Sequence, residues 1–135
     1  MTVQDSTISP RPPIWLRVVA VFATIFGIMT LFSGGSVLFG PQMAREAAGA
    51  YVPFVVWFNF LAGFAYVAAG IGIWIAATWA RGLAGLIAGA TVLVALAFAV
   101  YVASGGDFEM RTVGALIFRA GVWAAIVAAI GRAQR

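Results

Sequence analysis

The sequence has no cysteine, no histidine and no lysine among its 135 residues. These absences exclude disulfides, thiol redox chemistry, c-type haem attachment, zinc sites with nitrogen or sulfur ligands, and imidazole acid–base catalysis. The acidic residues are few, namely Asp5, Glu46, Asp107 and Glu109. None of them lies inside a long apolar run, so a carboxylate proton relay at mid-membrane is not expected. We therefore predict neither a metal site nor a cofactor.

Charge of either sign is scarce, whereas apolar residues dominate the chain. Hydrophobic residues make up 64% of it and charged residues 9%, and the mean hydropathy is +1.05. A soluble domain of this length requires far more polar surface, so we predict an integral membrane protein surrounded by the lipid bilayer. The formal charge of +4 is carried by arginine alone. Such a small, dispersed excess is typical of an orientation signal and does not indicate a nucleic-acid partner.

Four long apolar runs predict the fold. They cover approximately residues 14–33, 52–77, 82–104 and 112–131. Each has roughly the 20 residues that a membrane-spanning helix needs, and a backbone in hydrocarbon must satisfy its own hydrogen bonds. The predicted fold class is therefore all-α, an integral membrane four-helix transmembrane bundle. Residues 1–13 are polar and contain three prolines, which predicts a cytoplasmic tail ahead of a single four-span domain over residues 14–135.

Two glycine pairs predict where helices end. Ser33-Gly34-Gly35 closes the first run and Ser104-Gly105-Gly106 closes the third. Glycine suits a helix exit because it adopts positive φ without strain. We expect both exits on the same side of the membrane.

The distribution of arginine predicts the orientation. Four spans place both termini on one side, which carries Arg11, Arg17, Arg81, Arg132 and Arg135, with Asp5 as its acid. The opposite loops carry Arg45 and Arg111 against three acids. Because cytoplasmic loops are enriched in arginine and lysine, we predict that both termini are cytoplasmic, in a bacterial inner (plasma) membrane.

Small residues in the spans predict how the helices pack. Gly63 and Gly70 lie in the second span, Gly85 and Gly89 have GxxxG spacing in the third, and Gly121 lies in the fourth. Such residues let helix backbones approach closely in lipid. Packing within the bundle is the first interpretation, and the alternative is a seam between two copies or with another membrane protein. The chain has 16 glycines, so GxxxG spacing also arises by chance.

Arg119 is the one charged residue deep inside a span. It lies eight residues beyond Arg111, or about 12 Å along a helix. An arginine at the bilayer centre costs about 2.5–3.5 kcal/mol on insertion scales. We therefore expect an acid, other polar groups or a water-filled cavity beside it.

The expected neighbours of Arg119 come from the second span and the outer loops. Asn59 lies at a matching depth and shares a helix face with Tyr66. Glu46, Asp107 and Glu109 lie in loops on the same side and are candidates to fold toward Arg119. The predicted site is a small outward-facing polar pocket. Three interpretations stay open: a structural network, a site for an anion or polar head group, and a position where a partner subunit supplies the acid.

In length and four-span layout the whole chain resembles the DoxX-like group of small bacterial membrane proteins. The resemblance covers topology and size, so no functional residue is carried over from it.

Three functions fit these features. The first is a non-enzymatic accessory or scaffold subunit that binds another membrane protein through its small-residue faces. The second is a small oligomeric transporter or channel for an anion, which requires polar groups through the full membrane thickness. The third is a membrane enzyme acting on lipids, for which few catalytic groups are present.

Overall fold

The structure, a computed structural model, describes residues 12–133, which form five helices. These are α1 (Ile14–Phe39), α2 (Gln42–Ala48), α3 (Pro53–Trp74), α4 (Ala80–Ala103) and α5 (Met110–Ala133). All except α2 are long and apolar enough to cross a membrane. The predicted all-α four-helix bundle is thus confirmed, and the chain is a small multi-pass membrane protein. Nearly all of the predicted tail, together with Asp5, Arg11 and Arg135, lies outside the described residues.

The two glycine pairs behave differently. α4 ends at Ala103, and Gly105 follows with a φ of +93°, a conformation that suits glycine. The first pair does not end its helix, because α1 continues through Gly34 and Gly35 to Phe39. A Cβ at Gly34 would lie 3.1 Å from the Cβ of Phe60 on α3, so this glycine serves close helix packing instead.

The four spans form a ring in the order α1, α3, α4 and α5, with each helix beside the next. The closest pair is α1 with α3, and the most open pair is α5 with α1. We call the end where α1 begins and α5 ends the termini end. The opposite end, which carries α2, is the α2 end.

Small residues bring α1 and α3 together. A Cβ at Gly63 would lie 2.8 Å from Leu31, and a Cβ at Gly70 would lie 2.9 Å from the carbonyl oxygen of Ala20. Gly27 is equally enclosed from the α1 side, where a Cβ would lie 2.9 Å from the Gly63 carbonyl oxygen. Close backbone approach of this kind allows the van der Waals packing that helps to drive helix association in lipid.

The other predicted packing glycines face open space. When the adjoining residues of the same helix are set aside, no atom of the described chain lies within 4 Å of a Cβ built at Gly85, Gly89 or Gly121. Packing within the bundle therefore does not account for these three residues. Their use in a seam with another chain stays a prediction.

Two clusters of buried residues form the core. The larger fills the termini end and the middle of the bundle, and it consists of Leu16, Ala20, Ala23, Tyr66, Ala69, Ile73, Ala80, Ala84, Ile87, Trp123, Ile126 and Ile130. The smaller lies toward the α2 end and contains Val52, Val55, Phe98 and Leu116. Arg119 lies on α5 between Leu116 and Trp123, which belong to different clusters.

Candidate functional site

Arg119 lies deep in the α2-end half of the bundle. It follows the first residue of α5, Met110, by nine positions, or about 13 Å of helix. Half of a typical hydrocarbon core is about 15 Å, so Arg119 is near the mid-depth of the membrane. Its side chain is half-buried and points toward α1 and α3, as its contacts show.

Two hydroxyl groups hold one end of the guanidinium. The Nη1 group donates to Thr30 Oγ1 at 3.1 Å and to the Tyr66 hydroxyl at 3.3 Å. Thr30 is 3% exposed and Tyr66 is fully buried. Because these partners come from α1 and α3, Arg119 ties three of the four spanning helices together.

Aromatic rings cover the guanidinium. Its central carbon lies 5.1 Å from the centre of the Phe26 ring and 5.8 Å from the centre of the Tyr66 ring. Trp123, one turn beyond Arg119 on α5, contacts Tyr66 with ring centres 4.9 Å apart. Each cation–π contact contributes roughly 0.5–2 kcal/mol, depending on desolvation. The rings stabilise the cation, but they carry no net negative charge.

The predicted acid does not reach Arg119. Among residues 12–133 the one ion pair joins Arg111 to Glu109 at 3.8 Å, and Arg119 has no carboxylate within 4 Å. The Arg119 Nε–H is buried and has no hydrogen-bond partner. The guanidinium is thus oriented by neutral groups, while its charge stays uncompensated by the described chain.

The loop charges at the α2 end have other structural contacts. Glu109 accepts a hydrogen bond from the Ala50 amide at 3.0 Å, and Arg111 donates to the carbonyls of Ala47 and Ala48 at 3.3 Å. Arg45 donates to two carbonyl oxygens near the end of α1. The Arg45 contacts hold α2 against the end of α1, and the contacts of Glu109 and Arg111 hold the end of α2 and the following loop to the start of α5.

The two remaining loop acids lie at the surface. Glu46 on α2 and Asp107 before α5 are both exposed. The Tyr101 hydroxyl donates to the backbone carbonyl of Asp107 at 2.9 Å. Neither acid forms an ion pair within the described chain. The predicted contact between a loop acid and Arg119 is therefore absent from residues 12–133.

A cleft of about 210 Å³ connects the loop charges with Arg119. Glu109 and Arg111 line it at the α2 end, and Arg119 and Asn59 line it at depth. The rest of its wall consists of valine and alanine side chains together with three hydroxyl-bearing residues, Ser33, Tyr51 and Thr112. At about 30 Å³ per water molecule, this volume equals roughly seven waters. Of the predicted site residues, Asn59, Glu109 and Arg119 line this cavity, whereas Tyr66 reaches Arg119 from outside its lining.

Asn59 brings a second unpartnered polar atom to the cleft. Its Oδ1 is buried without a hydrogen-bond partner. The oxygen and nitrogen of an amide exchange places on rotation by half a turn, so the group can accept or donate. Unpaired buried polar atoms are costly, and the two residues that carry these atoms, Asn59 and Arg119, both line the cleft.

Sequence reasoning missed Phe26, Thr30 and Trp123. Phe26 and Thr30 are four positions apart, on one face of α1, and Trp123 lies four positions after Arg119. The available signal was Thr30, a polar residue within an otherwise apolar stretch. Only the packing of α1 against α5 shows that it meets Arg119.

Comparison of the chain with protein-family models, with curated proteins and with solved structures found no match. Any function must therefore be argued from the site itself.

Proposed function

We propose that this chain is a non-enzymatic, accessory membrane protein that binds an anion in its α2-end cleft through Arg119. One observation carries the proposal: a guanidinium near mid-depth lines a cavity and has no carboxylate partner within the described chain. Arginine keeps its positive charge and is well suited to carboxylates and phosphates. Burial of an uncompensated charge is unfavourable, and a bound anion would remove that cost.

The competing explanation is a purely structural network. Thr30, Tyr66 and Phe26 do join three helices through Arg119. However, hydrogen bonds to neutral hydroxyls satisfy only Nη1, and they leave Nε without a partner. A side chain that served only to link helices would not need to carry a net charge beside a cavity. The cleft is therefore better explained as an anion-binding site in which neighbouring side chains hold Arg119 in a fixed orientation.

The apolar termini end supports a binding site in preference to a transport path. Between Arg119 and the termini end, the centre of the bundle is filled by Ala69, Ile73, Ile87, Ile126 and Ile130. A conducting pore needs polar groups or water through the whole membrane. In this chain polar groups line the α2-end half, so an anion could reach Arg119 from one side.

The charges of the described chain support the proposed orientation. Arg17, Arg81 and Arg132 lie at the termini end, without a described acid beside them in sequence. The α2 end has two arginines and three acids. By the positive-inside rule the termini are cytoplasmic in a bacterial inner membrane, and the cleft faces outward. Membership of the DoxX-like group is a proposal supported by length and layout.

The direct test measures anion binding to purified protein in detergent. Chloride, acetate, phosphate and sulfate are titrated while thermal unfolding is followed, since a ligand that binds the folded state raises the melting temperature. We expect a saturable rise for at least one anion, and Arg119→Leu should abolish it. Arg132→Leu is the matched control, because it removes an exposed arginine from the same helix. Equal responses of the two variants would refute the proposal.

A second candidate function concerns the outer face of α4. Gly85 and Gly89 have open space beside them, so this face is available to a helix of a second copy or another membrane protein. Chemical cross-linking in native membranes tests this candidate. A cross-linked product that is lost in Gly89→Leu and kept in Ala99→Leu, another small residue exposed on α4, would support it.

A further inference from the structure

A groove of about 340 Å³ runs along the seam between α1 and α3, in the termini-end half of the bundle. Two small buried residues, Ala20 and Gly70, form its floor. Its walls are exposed side chains, namely Val21, Ile25, Ile71 and Trp74. Because the floor is buried and the walls are exposed, the groove opens toward the surrounding lipid and not toward the centre of the bundle.

The lining of the groove suits a hydrocarbon chain. Thr24 is the one hydroxyl-bearing residue in it, and its Oγ1 donates to the carbonyl oxygen of Ala20 at 2.9 Å. The remaining lining is apolar apart from the indole N–H of Trp74 at the termini end. An apolar chain in the groove would therefore not bury an unpaired hydroxyl group, which is a costly event in a low-dielectric environment.

The position of the groove matches one leaflet of the bilayer. α3 has 22 residues, or about 33 Å of helix, so its last residue, Trp74, falls at the level of the lipid head groups. From Arg17 to Ile25 the α1 wall extends eight residues, or about 12 Å. Half of a hydrocarbon core is about 15 Å thick. An acyl chain that enters from the termini end would thus follow the groove through most of its leaflet.

Arg17 lies at the head-group end of the groove. It precedes Val21 by four positions and Thr24 by seven, so it continues the α1 wall on the same helix face. Its guanidinium carbon is 5.6 Å from the centre of the Trp74 ring, which ends the α3 wall. Side chains on a helix point back toward its N-terminus, and Arg17 is the fourth residue of α1. The guanidinium therefore belongs at the membrane surface, directly above the groove.

The charge of Arg17 calls for an anion at this level. Trp74 is neutral, and no carboxylate of residues 12–133 lies within 4 Å of Arg17. Arginine is well suited to phosphate, and tryptophan is enriched at head-group depth. A lipid with a net negative charge is attracted to such an arginine, whereas the ammonium of a zwitterionic lipid offsets its phosphate.

From these observations we infer that the protein binds one anionic phospholipid, with the phosphate at Arg17 and one acyl chain in the α1–α3 groove. The site is in the opposite half of the bundle from the Arg119 cleft, so the inference is independent of the proposed anion-binding function. With both termini cytoplasmic, as proposed, the lipid belongs to the cytoplasmic leaflet.

The decisive experiment compares two lipids that differ only in the head group. Phosphatidylglycerol and phosphatidylcholine with identical acyl chains are titrated into the purified protein in detergent, and bound lipids are counted by native mass spectrometry. We expect one phosphatidylglycerol to bind about fivefold more tightly than phosphatidylcholine, the preference that a single arginine at the membrane surface provides. Arg17→Gln should remove this preference. Arg132→Gln is the matched control, because it removes an exposed arginine from the same end of the bundle.

A second pair of variants tests the groove itself and stays informative if Arg17→Gln does not fold. Ile25→Trp adds bulk to the groove wall far from Arg17, so it should weaken phosphatidylglycerol binding several-fold while leaving the charge in place. Ile28→Trp adds the same bulk at another exposed position of α1, outside the lining, and should have no such effect.

Three results would overturn the inference. The first is equal binding of the two lipids to wild type, or an equal loss in both arginine variants. The second is unchanged phosphatidylglycerol binding in Ile25→Trp, which would mean that the lipid does not use the groove. The third is a wild-type dimer that Ile25→Trp separates into monomers, since a second copy would then cover the groove. Arg119→Leu should leave lipid binding unchanged, so failure of the anion cleft and failure of the lipid site are distinguishable.

Discussion

The two halves of this bundle differ in how tightly their helices pack and in which residues line the centre. At the termini end, small and branched apolar residues fill the centre, and α1 and α3 approach until glycine is the only residue that fits. At the α2 end, the helices leave a cleft, and polar groups line it. In this chain the charge that lies deep in a span is thus placed where packing is loose enough for a ligand or water to compensate it.

The two halves also use their charged residues differently. The α2-end arginines Arg45 and Arg111 donate to backbone carbonyls near the ends of α1 and α2, and Glu109 accepts a hydrogen bond from a loop amide. At the termini end, Arg17 stacks on Trp74 with its guanidinium carbon 5.6 Å from the ring centre. Arg119 differs from all of these because it lies deep in a span, where hydroxyl groups of two other helices orient it.

The largest expected effect comes from the tightly packed half. Gly70→Leu should prevent stable folding, because even a Cβ would collide with Thr24 and would lie 2.9 Å from the Ala20 carbonyl oxygen. Overpacking by more than one methylene typically costs about 1–3 kcal/mol, and rigid backbone contact raises the cost. Gly89→Leu is the matched control, since open space adjoins it. Thermal unfolding of both variants in detergent would measure the difference, and similar melting temperatures would contradict the packing described here.

A smaller effect is expected from the hydroxyls that orient Arg119. Tyr66→Phe and Thr30→Val each remove one acceptor from Nη1 and keep the side-chain shape. Each should weaken anion binding several-fold, since a hydrogen bond to a charged group is worth about 1.5–3 kcal/mol and water can replace part of it. Anion titrations of the single and double variants would measure the effect. If both single variants bind anions like wild type, these hydroxyls do not orient the site.

The smallest effect is expected from the loop charges of the cleft. Glu109→Gln removes the negative charge and can still accept the hydrogen bond from the Ala50 amide. Its ion pair with Arg111 is partly exposed, so the loss of stability should be below about 1 kcal/mol. Anion affinity should rise slightly, by about two- to threefold, and the rise should shrink in high salt. Weaker anion binding in this variant would show that Glu109 supports the site.

The Arg119 site shows how far sequence reasoning extends. Depth along a helix follows from residue number, so the sequence predicts similar depths for Asn59 and Arg119, and in the structure both residues line one cavity. The contacts of Glu109 were not predictable, because its loop position allows it to point toward Arg119 or toward the Ala50 amide. The hydrogen bond at 3.0 Å shows that it takes the second direction.

Helix length was similarly only partly predictable. The apolar runs placed all four spans, since hydrocarbon demands long uncharged helices. The Gly34–Gly35 pair predicts a helix end, but Phe60 packs against it and the helix continues to Phe39. Glycine serves helix exits and close helix contacts equally well, so sequence alone does not distinguish them.

By itself, the sequence determined that this protein lies in a membrane, how many spans it has and how far along its span the charge of Arg119 lies, because each follows from local composition and a rise of 1.5 Å per residue. Only the tertiary structure decided which residues meet that charge. Phe26, Thr30 and Tyr66 reach Arg119 across helices that are distant in sequence, and their choice of Nη1 leaves Nε free. The physical reason is that helix rotation and spacing are set by side-chain packing between helices, which no single span encodes.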